Sequence, residues 1–377
     1  MSINEGRRGR RKVCHVSSVH KVNDIRVFHK ECATLADAGF DVTLIGVEAE
    51  VPDRGVKVIT LPNEGSRFQR MVVRARTAYR YALDIGADLY HFHDVEMLPY
   101  ALMLKRQTGA KVVFDSHECF REDVVAKHWI PKFFRPTVGF IVGGVEDFVI
   151  RRIDQVVAAT PHIQETFERE AQRVITINNY PIADEFSAVV QKLHNDRRSI
   201  CYVGAISFAR GIIPLLDSLS YIDSSVTLDV AGPFAGKEVE EACYSHPNWG
   251  RVFYHGQVSR NVVAQIYSSA FAGMATLLPV PNHILSKPIK LFEYMSAGVP
   301  VICSDFPLWQ SLIATGGCGK VVDPIDPKAI ATAVEALRLD PIMRSNMGRR
   351  GIDLVRNEYN WGREGCKLVE TYDALLS

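Results

Sequence analysis

Short runs rich in Val and Ile alternate with helix-like segments along most of this 377-residue chain. The first of these runs read KVCHVSS, DVTLIGV and DLYHFHD, and Gly39, Gly86 and Gly109 stand where the first three helices should end. Strands that take turns with helices predict parallel sheets covered by helices. The sequence therefore predicts an α/β fold.

The alternation restarts once, after a polar stretch near residues 184–198. A length of 377 residues favours two domains, because one domain usually holds roughly 100–200 residues. We therefore predict two Rossmann-like, doubly wound parallel-sheet domains that face a common cleft. The predicted parts are a disordered arm at 1–11, an N-terminal domain at 1–184, a linker at 185–198, a C-terminal domain at 199–360 and a helix at 361–377. In our interpretation this helix packs back on the N-terminal domain.

The overall composition bears on partners and location. Lys and Arg number 44 against 43 Asp and Glu, so the molecule has no net field for nucleic acid, and no nucleic-acid partner is expected. The eight cysteines are scattered without a C-x-x-C pair, which favours reduced thiols in a cytoplasmic protein. No apolar run reaches the roughly 18–20 residues that span a bilayer, so the protein is expected to be soluble or to lie on a membrane surface.

The loop after the first strand is polar rather than glycine-rich. It reads SSVHKVNDIR and lacks the G-x-G-x-x-G of a dinucleotide fold, which argues against a nicotinamide or flavin enzyme. Ser18, Asp24 and Arg26 are candidate binding residues, because ligands of open parallel sheets collect at the carboxyl ends of the strands. Asp24 is equally suited to cap the following helix.

Two histidine–acid clusters follow neighbouring strands. In HFHD, His91 and His93 point to one face of the strand, and His93 with Asp94 ends it. In DSHE, His117 and Glu118 end the next strand, so both clusters should lie on one rim and mark a polar ligand site. A metal site would need a further ligand that the sequence does not reveal, so no metal ion is expected.

The second half places glycines and an arginine at corresponding strand ends. Gly204 ends the run ICYVG, and Arg210 precedes a helix start, where it is suited to bind a phosphate by paired hydrogen bonds. Gly232 and Gly256 end two further strands, where a missing side chain lets the backbone approach a flat ligand. A solvated arginine at a loop tip is the alternative for Arg210.

The segment SKPIKLFEYMSAGVP has a distinctive charge pattern. Ser286 is expected to cap a helix whose first turn holds Pro288. Lys287, Lys290 and Glu293 then lie on neighbouring turns of that helix. The lysines are suited to a diphosphate and Glu293 to the hydroxyls of a ribose, with a surface ion pair as the plain alternative.

These motifs resemble those of the retaining GT-B glycosyltransferases of family 4. KPIKLFEYMSAGVPVICSD is similar to the family's PNKLFEYMAAGLPVIASD, and YVGAISFARGI is similar to YVGRLSPEKGI. HFHD and GCGKVVDPIDPKAIATAV add to the likeness, which covers essentially the whole chain. The resemblance implies a GT-B fold, in which two Rossmann-like domains face an interdomain cleft.

The resemblance also implies roles for single residues. Glu293 matches the second glutamate of the Glu-x7-Glu motif, which binds the nucleotide ribose. Arg210 matches the lysine on the donor diphosphate, and His93 matches the histidine that faces the transferred sugar. The loop YHGQV would hold the base through its backbone. The full predicted set is catalytic His93, Asp94, Arg210 and Glu293; donor-binding Ser18, Gly204, Gly232, Gln257, Val258, Ser286, Lys287, Lys290 and Leu291, again with Arg210 and Glu293; and acceptor-side Asp24, Arg26, His117 and Glu118.

Two positions depart from the family's pattern. Leu285 stands where the family often has its first glutamate, so the loop at 282–286 would contact the sugar instead. Ala205 replaces a common arginine, which leaves the diphosphate charge to Arg210 and a lysine of KPIK. The identity of the transferred sugar is therefore open.

The resemblance implies transfer of a sugar, with retained configuration, from a nucleotide-sugar to a glycan or lipid-linked acceptor. UDP is the preferred nucleotide, and the expected pathway is surface polysaccharide or glycolipid synthesis. No cofactor or metal ion is expected. No protein nucleophile is visible, so the expected reaction is front-face attack, with a donor phosphate oxygen taking the acceptor proton. A nucleotide-sugar epimerase of the same fold and a non-catalytic nucleotide-sugar-binding protein are the alternatives.

One segment has the composition of a membrane-contacting surface. Residues 126–154 mix aromatic side chains such as Trp129 and Phe140 with basic ones such as Lys132 and Arg151. This mixture suits an anionic membrane, where a lipid-linked acceptor is found, and equally a helix pair that packs on its own domain. We therefore expect a cytoplasmic protein with a peripheral contact at the inner face of the plasma membrane as one of two interpretations.

Overall fold

The computed structural model of the protein describes residues 10–51, 53–63, 69–117, 133, 135–186 and 198–377. Most of the predicted arm and linker therefore lies outside the described residues, as does Glu118. The chain forms two compact units: unit 1 comprises Met1–Asn179 and Arg363–Ser377, and unit 2 comprises Tyr180–Gly362. Residues 180–184, which the sequence analysis assigned to the N-terminal domain, belong to unit 2.

Unit 1 is built on a seven-stranded parallel sheet. In chain order its elements are β1 Lys12–Lys21, α1 Ile25–Cys32 continued by Ala33–Asp37, β2 Asp41–Val47, β3 Lys57–Leu61, α2 Arg70–Arg74 continued by Ala75–Ile85, β4 Leu89–Phe92, α3 Leu98–Thr108, β5 Lys111–Ser116, α4 Arg135–Ile150, β6 Gln155–Ala158, α5 Pro161–Phe167 and β7 Val174–Thr176. The strand order is β3-β2-β1-β4-β5-β6-β7, so the winding reverses between β1 and β4. Ligands of doubly wound sheets bind at such a reversal.

Unit 2 is built on a six-stranded parallel sheet. Its elements are β8 Ser199–Val203, α6 Ile212–Ser218, β9 Thr227–Ala231, α7 Lys237–Tyr244, β10 Val252–Tyr254, α8 Arg260–Ser269, β11 Ala270–Ala275, α9 Pro281–Ile284, α10 Ile289–Ser296, β12 Val301–Ser304, α11 Pro307–Trp309 continued by Gln310–Thr315, β13 Gly319–Val322, α12 Pro327–Leu339 and α13 Pro341–Asn357. The last helix, α14, runs over Trp361–Leu376. The strand order β10-β9-β8-β11-β12-β13 reverses between β8 and β11, and the predicted α/β fold with two parallel sheets is confirmed.

Local sequence signals set several helix boundaries. Thr160, Asp326 and Asp340 each cap a helix start that a proline follows, and each side chain accepts a hydrogen bond from a backbone amide. Gly86 and Gly109 end α2 and α3 in the left-handed conformation, as the sequence predicts.

Apolar side chains cover both faces of the unit 2 sheet. Along β8, Cys201 belongs to one core cluster and its neighbours Ile200 and Tyr202 belong to the other, because successive side chains of a strand point to opposite faces. Among the described cysteines, Cys366 is exposed and the others are buried free thiols. No helix within the described residues is both long and apolar enough to cross a membrane.

Candidate functional site

In unit 1, polar residues gather where β1, β4 and β5 end. The register pairs His15 of β1 with His91 of β4, and Phe92 of β4 with Phe114 of β5. His93 and Asp115 each stand one residue beyond the latter pair. The sheet reversal thus brings together histidines and carboxylates that lie far apart in the sequence.

Asp94 is a buried acceptor for several donors from β1. Its Oδ2 accepts hydrogen bonds from the Ser18 amide at 2.6 Å and from the Ser17 hydroxyl at 2.9 Å, and its Oδ1 lies 3.1 Å from His20 Nδ1. Burial alone would raise the pKa of Asp94, but the hydrogen bonds from His20 and the serines lower it. Burial would likewise lower the pKa of His20, but Asp94 raises it. The contact with Asp94 therefore favours the charged form of His20.

Two predicted acceptor-side residues prove to be parts of the folded framework. Arg26 is 4% exposed, and its guanidinium pairs with both oxygens of Asp115 at 2.9 and 3.0 Å while donating to the Ile177 carbonyl at 3.0 Å. Burial alone would raise the pKa of Asp115, but Arg26 and His117 hold it well below its ordinary value. Asp24 caps α1, because its Oδ1 accepts from the amides of Arg26 and Val27.

The predicted catalytic His93 lies inside unit 1. Its side chain has no solvent exposure; its Nε2 is 3.0 Å from His15 Nδ1, and its Nδ1 is 3.4 Å from Asp115 Oδ2. His20 and His117 are partly exposed and lie side by side, with ring centroids 4.9 Å apart. These two imidazoles, of which the sequence analysis selected only His117, form the accessible part of the cluster.

In unit 2, two cations converge on Gly204. A Cβ atom at Gly204 would lie 3.3 Å from Lys290 Nζ and 3.8 Å from Arg210 Nη1. The Lys290 ammonium is buried 3.7 Å over the ring of Tyr202 and has no hydrogen-bond acceptor among the described residues. Burial first, and the charge of Arg210 second, lower the pKa of Lys290 to about 7. This arrangement is suited to bind an anion.

Glycines shape the loop that carries Arg210. Gly211 is left-handed, with φ of +75°, and a Cβ there would lie 1.8 Å from the Thr276 carbonyl oxygen, so no side chain fits. A Cβ at Gly232 would lie 2.1 Å from the Gly204 carbonyl oxygen. The close approach at Gly232 is therefore to the neighbouring loop, which gives this glycine a packing role beside the predicted approach of a ligand.

Glu293 has two partners that the sequence analysis missed. Its Oε1 lies 2.9 Å from Arg260 Nη1, and its Oε2 accepts from the Tyr267 hydroxyl at 3.1 Å. Arg260 also pairs with Glu185 at 2.6 Å. Burial alone would lower the pKa of Arg260, but Glu293 and Glu185 raise it. No periodicity links Arg260 to Glu293, because they lie on different helices, α8 and α10.

The predicted start of α10 is wrong. The helix begins at Ile289 after Pro288, so Lys287 precedes it, and only Lys290 and Glu293 share it. Ser286 does not cap it: its hydroxyl donates to the His283 carbonyl at 3.0 Å, and its carbonyl accepts from Trp309 Nε1 at 2.7 Å.

The remaining predicted donor residues differ in exposure. Gln257 is exposed, Val258 is half-buried against the core, and Leu291 is fully buried in it, with its amide donating to the Pro288 carbonyl. Leu285 is exposed beside His283, whose pKa is lowered by burial and then by the charges of Arg210 and Lys290. The predicted loop at 282–286 is partly helical, because residues 282–284 belong to α9, and this segment lies near the two cations.

Two groups of described residues have the composition of metal ligands. His15, Glu31, His91 and His93 form one, and His93, Asp115 and His117 form the other, with ligand atoms within 4.8 Å of one another in each group. The further ligands that the sequence did not reveal come from β1 and α1.

Comparison with known proteins identifies the family. The model of "Glycosyl transferases group 1" matches residues 184–353, and that of a "Glycosyl transferase 4-like domain" matches residues 25–179. The chain belongs to glycosyltransferase family 4. This family is retaining, and the chain has its GT-B fold.

Individual relatives are distant. A D-rhamnosyltransferase (WbpZ) of Pseudomonas aeruginosa is 26% identical over 247 residues, which cover 61% of this chain and 60% of the relative, less than two thirds of its length. An α-D-kanosaminyltransferase of Streptomyces kanamyceticus is 23% identical over 360 residues, 87% of this chain and 90% of that one. The structure of Anabaena HepE in complex with UDP-glucose matches this chain with a TM-score of 0.74 at 13% identity, over 96% of this chain and 99% of HepE.

Proposed function

We propose that this protein transfers a sugar, with retained configuration, from a nucleotide-sugar to a glycan or lipid-linked acceptor in surface polysaccharide or glycolipid synthesis. The observation that carries the proposal is the pair of cations at Gly204. A buried ammonium without an acceptor is unfavourable, and a second cation beside it adds repulsion. A bound diphosphate supplies the missing acceptors and offsets both charges.

In this proposal the ribose of the donor binds at Glu293. Glu293 follows Lys290 by three residues on α10, so the carboxylate lies one helical turn from the ammonium. Arg260 and Tyr267 each occupy one of its oxygens, and a carboxylate has about four acceptor positions, so two ribose hydroxyls still find acceptors. UDP is the preferred nucleotide, which the UDP-glucose complex of HepE supports by analogy of fold.

The acceptor is placed at the rim of unit 1, near the partly exposed His20 and His117. The transfer is proposed as front-face attack, in which a donor phosphate oxygen takes the proton of the acceptor hydroxyl. Arg210 and Lys290 stabilise the departing diphosphate, because positive charge fixed in place favours the charge that develops there. This scheme uses neither a cofactor nor a metal ion in the reaction.

A peripheral contact with the inner face of the plasma membrane is proposed for α4. Phe140, Ile141, Val145 and Phe148 lie on one side of this helix and are exposed, a set that we call the α4 face. Arg151 and Arg152 follow it and are exposed as well. Apolar side chains next to basic ones suit an anionic lipid surface. Residues 126–132 and 134, which belong to the same predicted segment, lie outside the described residues.

The test is turnover by the full chain with a panel of UDP-, GDP- and ADP-sugars and candidate glycan and lipid-linked acceptors. We expect acceptor-dependent release of one nucleoside diphosphate. Glu293→Gln should weaken donor binding about tenfold or more, since hydrogen bonds to a charged group are worth about 1.5–3 kcal/mol. Glu238→Gln, at an exposed position of α7, serves as the matched control.

The possible failures are distinguishable. A donor that binds without being consumed by any acceptor contradicts transfer and favours a nucleotide-sugar-binding protein. A donor whose sugar is epimerised instead indicates the other alternative. A folded Glu293→Gln variant with unchanged donor affinity contradicts the assignment of the ribose alone.

A further inference from the structure

Four buried side chains of unit 1 surround one point. His15 Nδ1 lies 3.0 Å from His93 Nε2, and Glu31 Oε2 lies 3.9 Å from each of these nitrogens. A ring nitrogen of His91 lies within 4.8 Å of the other three atoms. In a tetrahedral zinc site the bonds are about 2.0–2.1 Å, so neighbouring ligand atoms are about 3.4 Å apart. The observed separations therefore bracket those of a zinc site.

The outward nitrogen of each histidine faces an acceptor. His91 Nδ1 and His15 Nε2 lie 2.5 and 3.2 Å from the Tyr372 hydroxyl, and His93 Nδ1 lies 3.4 Å from Asp115 Oδ2. Histidines that bind a metal through one nitrogen almost always donate the other N–H to a carboxylate, a carbonyl or another oxygen. All three rings are thus oriented as metal ligands require.

Hydrogen bonds alone do not satisfy this cluster. The 3.4 Å contact of His93 Nδ1 with Asp115 Oδ2 is an ion-pair distance rather than a hydrogen bond. If His15 donates to His93, and Tyr372 pairs with His91 and His15, then His91 Nε2 and Glu31 Oε2 still have no hydrogen-bond partner among the described residues. Both of these side chains are shielded from bulk solvent. Arg26 Nε approaches the other oxygen of Glu31 at 3.0 Å, but the Nε–H donates its hydrogen bond to Asp115 Oδ2. Unpaired buried polar atoms are costly, and a cation at the centre would satisfy both.

We infer that His15, Glu31, His91 and His93 bind a structural Zn²⁺ ion. Three neutral imidazoles and one carboxylate form a closed four-coordinate set, which favours zinc over the harder Mg²⁺ and Ca²⁺. The ion would tie β1, α1 and β4 together, and Tyr372 would link it to α14. The site is separate from the proposed diphosphate and ribose residues Arg210, Lys290 and Glu293, which lie in unit 2, so its failure would leave the proposed transfer unaffected.

The inference has a consequence for His93. A histidine that donates its lone pair to zinc in the interior is not free to contact a sugar. The geometry thus assigns His93 a structural role and leaves His20 and His117 as the imidazoles of the rim.

The test measures metal in the full chain, prepared without a polyhistidine tag and gel-filtered after incubation with Zn²⁺. We expect about one zinc per chain by mass spectrometry, as for other folding-coupled zinc sites. Glu31→Gln and His91→Asn should each lower the bound zinc about fivefold or more. His162→Asn, at a histidine of α5 outside the cluster, is the matched control and should keep it.

Two further measurements make the result independent of variants that fail to fold. Wild-type protein reconstituted with Co²⁺ should show the visible absorption of a four-coordinate ion, and a chelator should lower its melting temperature, with recovery on adding Zn²⁺. Wild-type protein that retains neither metal after gel filtration overturns the inference. So does unchanged zinc content in folded Glu31→Gln and His91→Asn variants.

Discussion

Lys290 is buried with its charge uncompensated by any hydrogen-bond acceptor in the described structure. Burial and Arg210 lower its pKa from 10.5 to about 7. Between these two pH values the unfolded chain holds a proton that the folded chain has released, so the stability contributed by this group rises with pH across that window and is lowest below pH 7. A cation kept at such a cost is characteristic of a binding site.

The first prediction concerns the proton of Lys290. At pH 8 its amine is mostly neutral in the free protein, and a diphosphate favours the charged form, so binding of UDP should draw in a proton. Calorimetry in buffers of different ionisation enthalpy should show net uptake of up to about one proton per UDP bound.

The variants decide whether this proton belongs to Lys290. Lys290→Met should abolish the uptake and weaken binding, most strongly below pH 7, where the wild-type ammonium is charged. Lys237→Gln, at an exposed lysine of α7, should leave the uptake unchanged. Equal uptake in wild type and Lys290→Met would contradict the assignment.

At the scale of elements, the sequence predicted strand ends better than helix starts. Strand β8 ends within the run ICYVG and strand β4 ends within the motif HFHD, as predicted. These ends are predictable because a short β-branched run bounded by polar residues is a local signal. The start of α10 depends on a distant contact. Trp309 Nε1 donates to the Ser286 carbonyl, and the Ser286 hydroxyl donates to the His283 carbonyl, so the expected cap is not formed. A local capping rule contains no information on such a contact.

The side-chain partners within the candidate site were also beyond the sequence. Arg26 and Asp115 are 89 residues apart, and Tyr267 and Glu293 belong to different helices. The histidine cluster requires the register of β1 against β4, which pairs His15 with His91. Motifs identified which residues carry chemistry, but strand register and helix packing decide which of them meet.

The second prediction concerns the α4 face. Phe140 is 84% and Ile141 58% exposed, and Arg152 lies over the ring of Phe148 at 3.7 Å. The protein should therefore bind vesicles containing anionic lipid more strongly than neutral ones, and high salt should weaken the binding. In vesicle co-sedimentation, the double substitution Phe140→Glu and Ile141→Glu should lower the bound fraction about fivefold. It replaces apolar side chains that would insert into the lipid by negative charges that the anionic lipid repels.

A control with similar exposure tests whether the effect is local. Phe253 of β10 in unit 2 is 58% exposed, and Phe253→Glu should leave vesicle binding as in wild type. If the α4 variant binds anionic vesicles as well as wild type does, the face is not the membrane contact.

At the scale of the whole molecule, each unit has its own parallel sheet and its own core. The sequence could predict this arrangement because the alternation of strands and helices is local and restarts once. The proposed donor residues Gly204, Arg210, Lys290 and Glu293 all lie in unit 2, whereas the histidine cluster lies in unit 1. A ligand that acts on one unit should therefore stabilise that unit first.

The last prediction uses amide hydrogen exchange to separate the two units. A ligand lowers exchange where it stabilises the folded state against local opening. Saturating UDP should protect β8 with the loop at 204–211, and α10, while β1 and β4 keep their rates. Removal of zinc by a chelator should do the reverse, raising exchange in β1, α1 and β4 and sparing α10. The variant Glu293→Gln should lose the effect of UDP and keep the effect of the chelator. Protection by UDP confined to unit 1 would contradict the donor assignment. Unchanged exchange in β1 and β4 after addition of the chelator would contradict the zinc site.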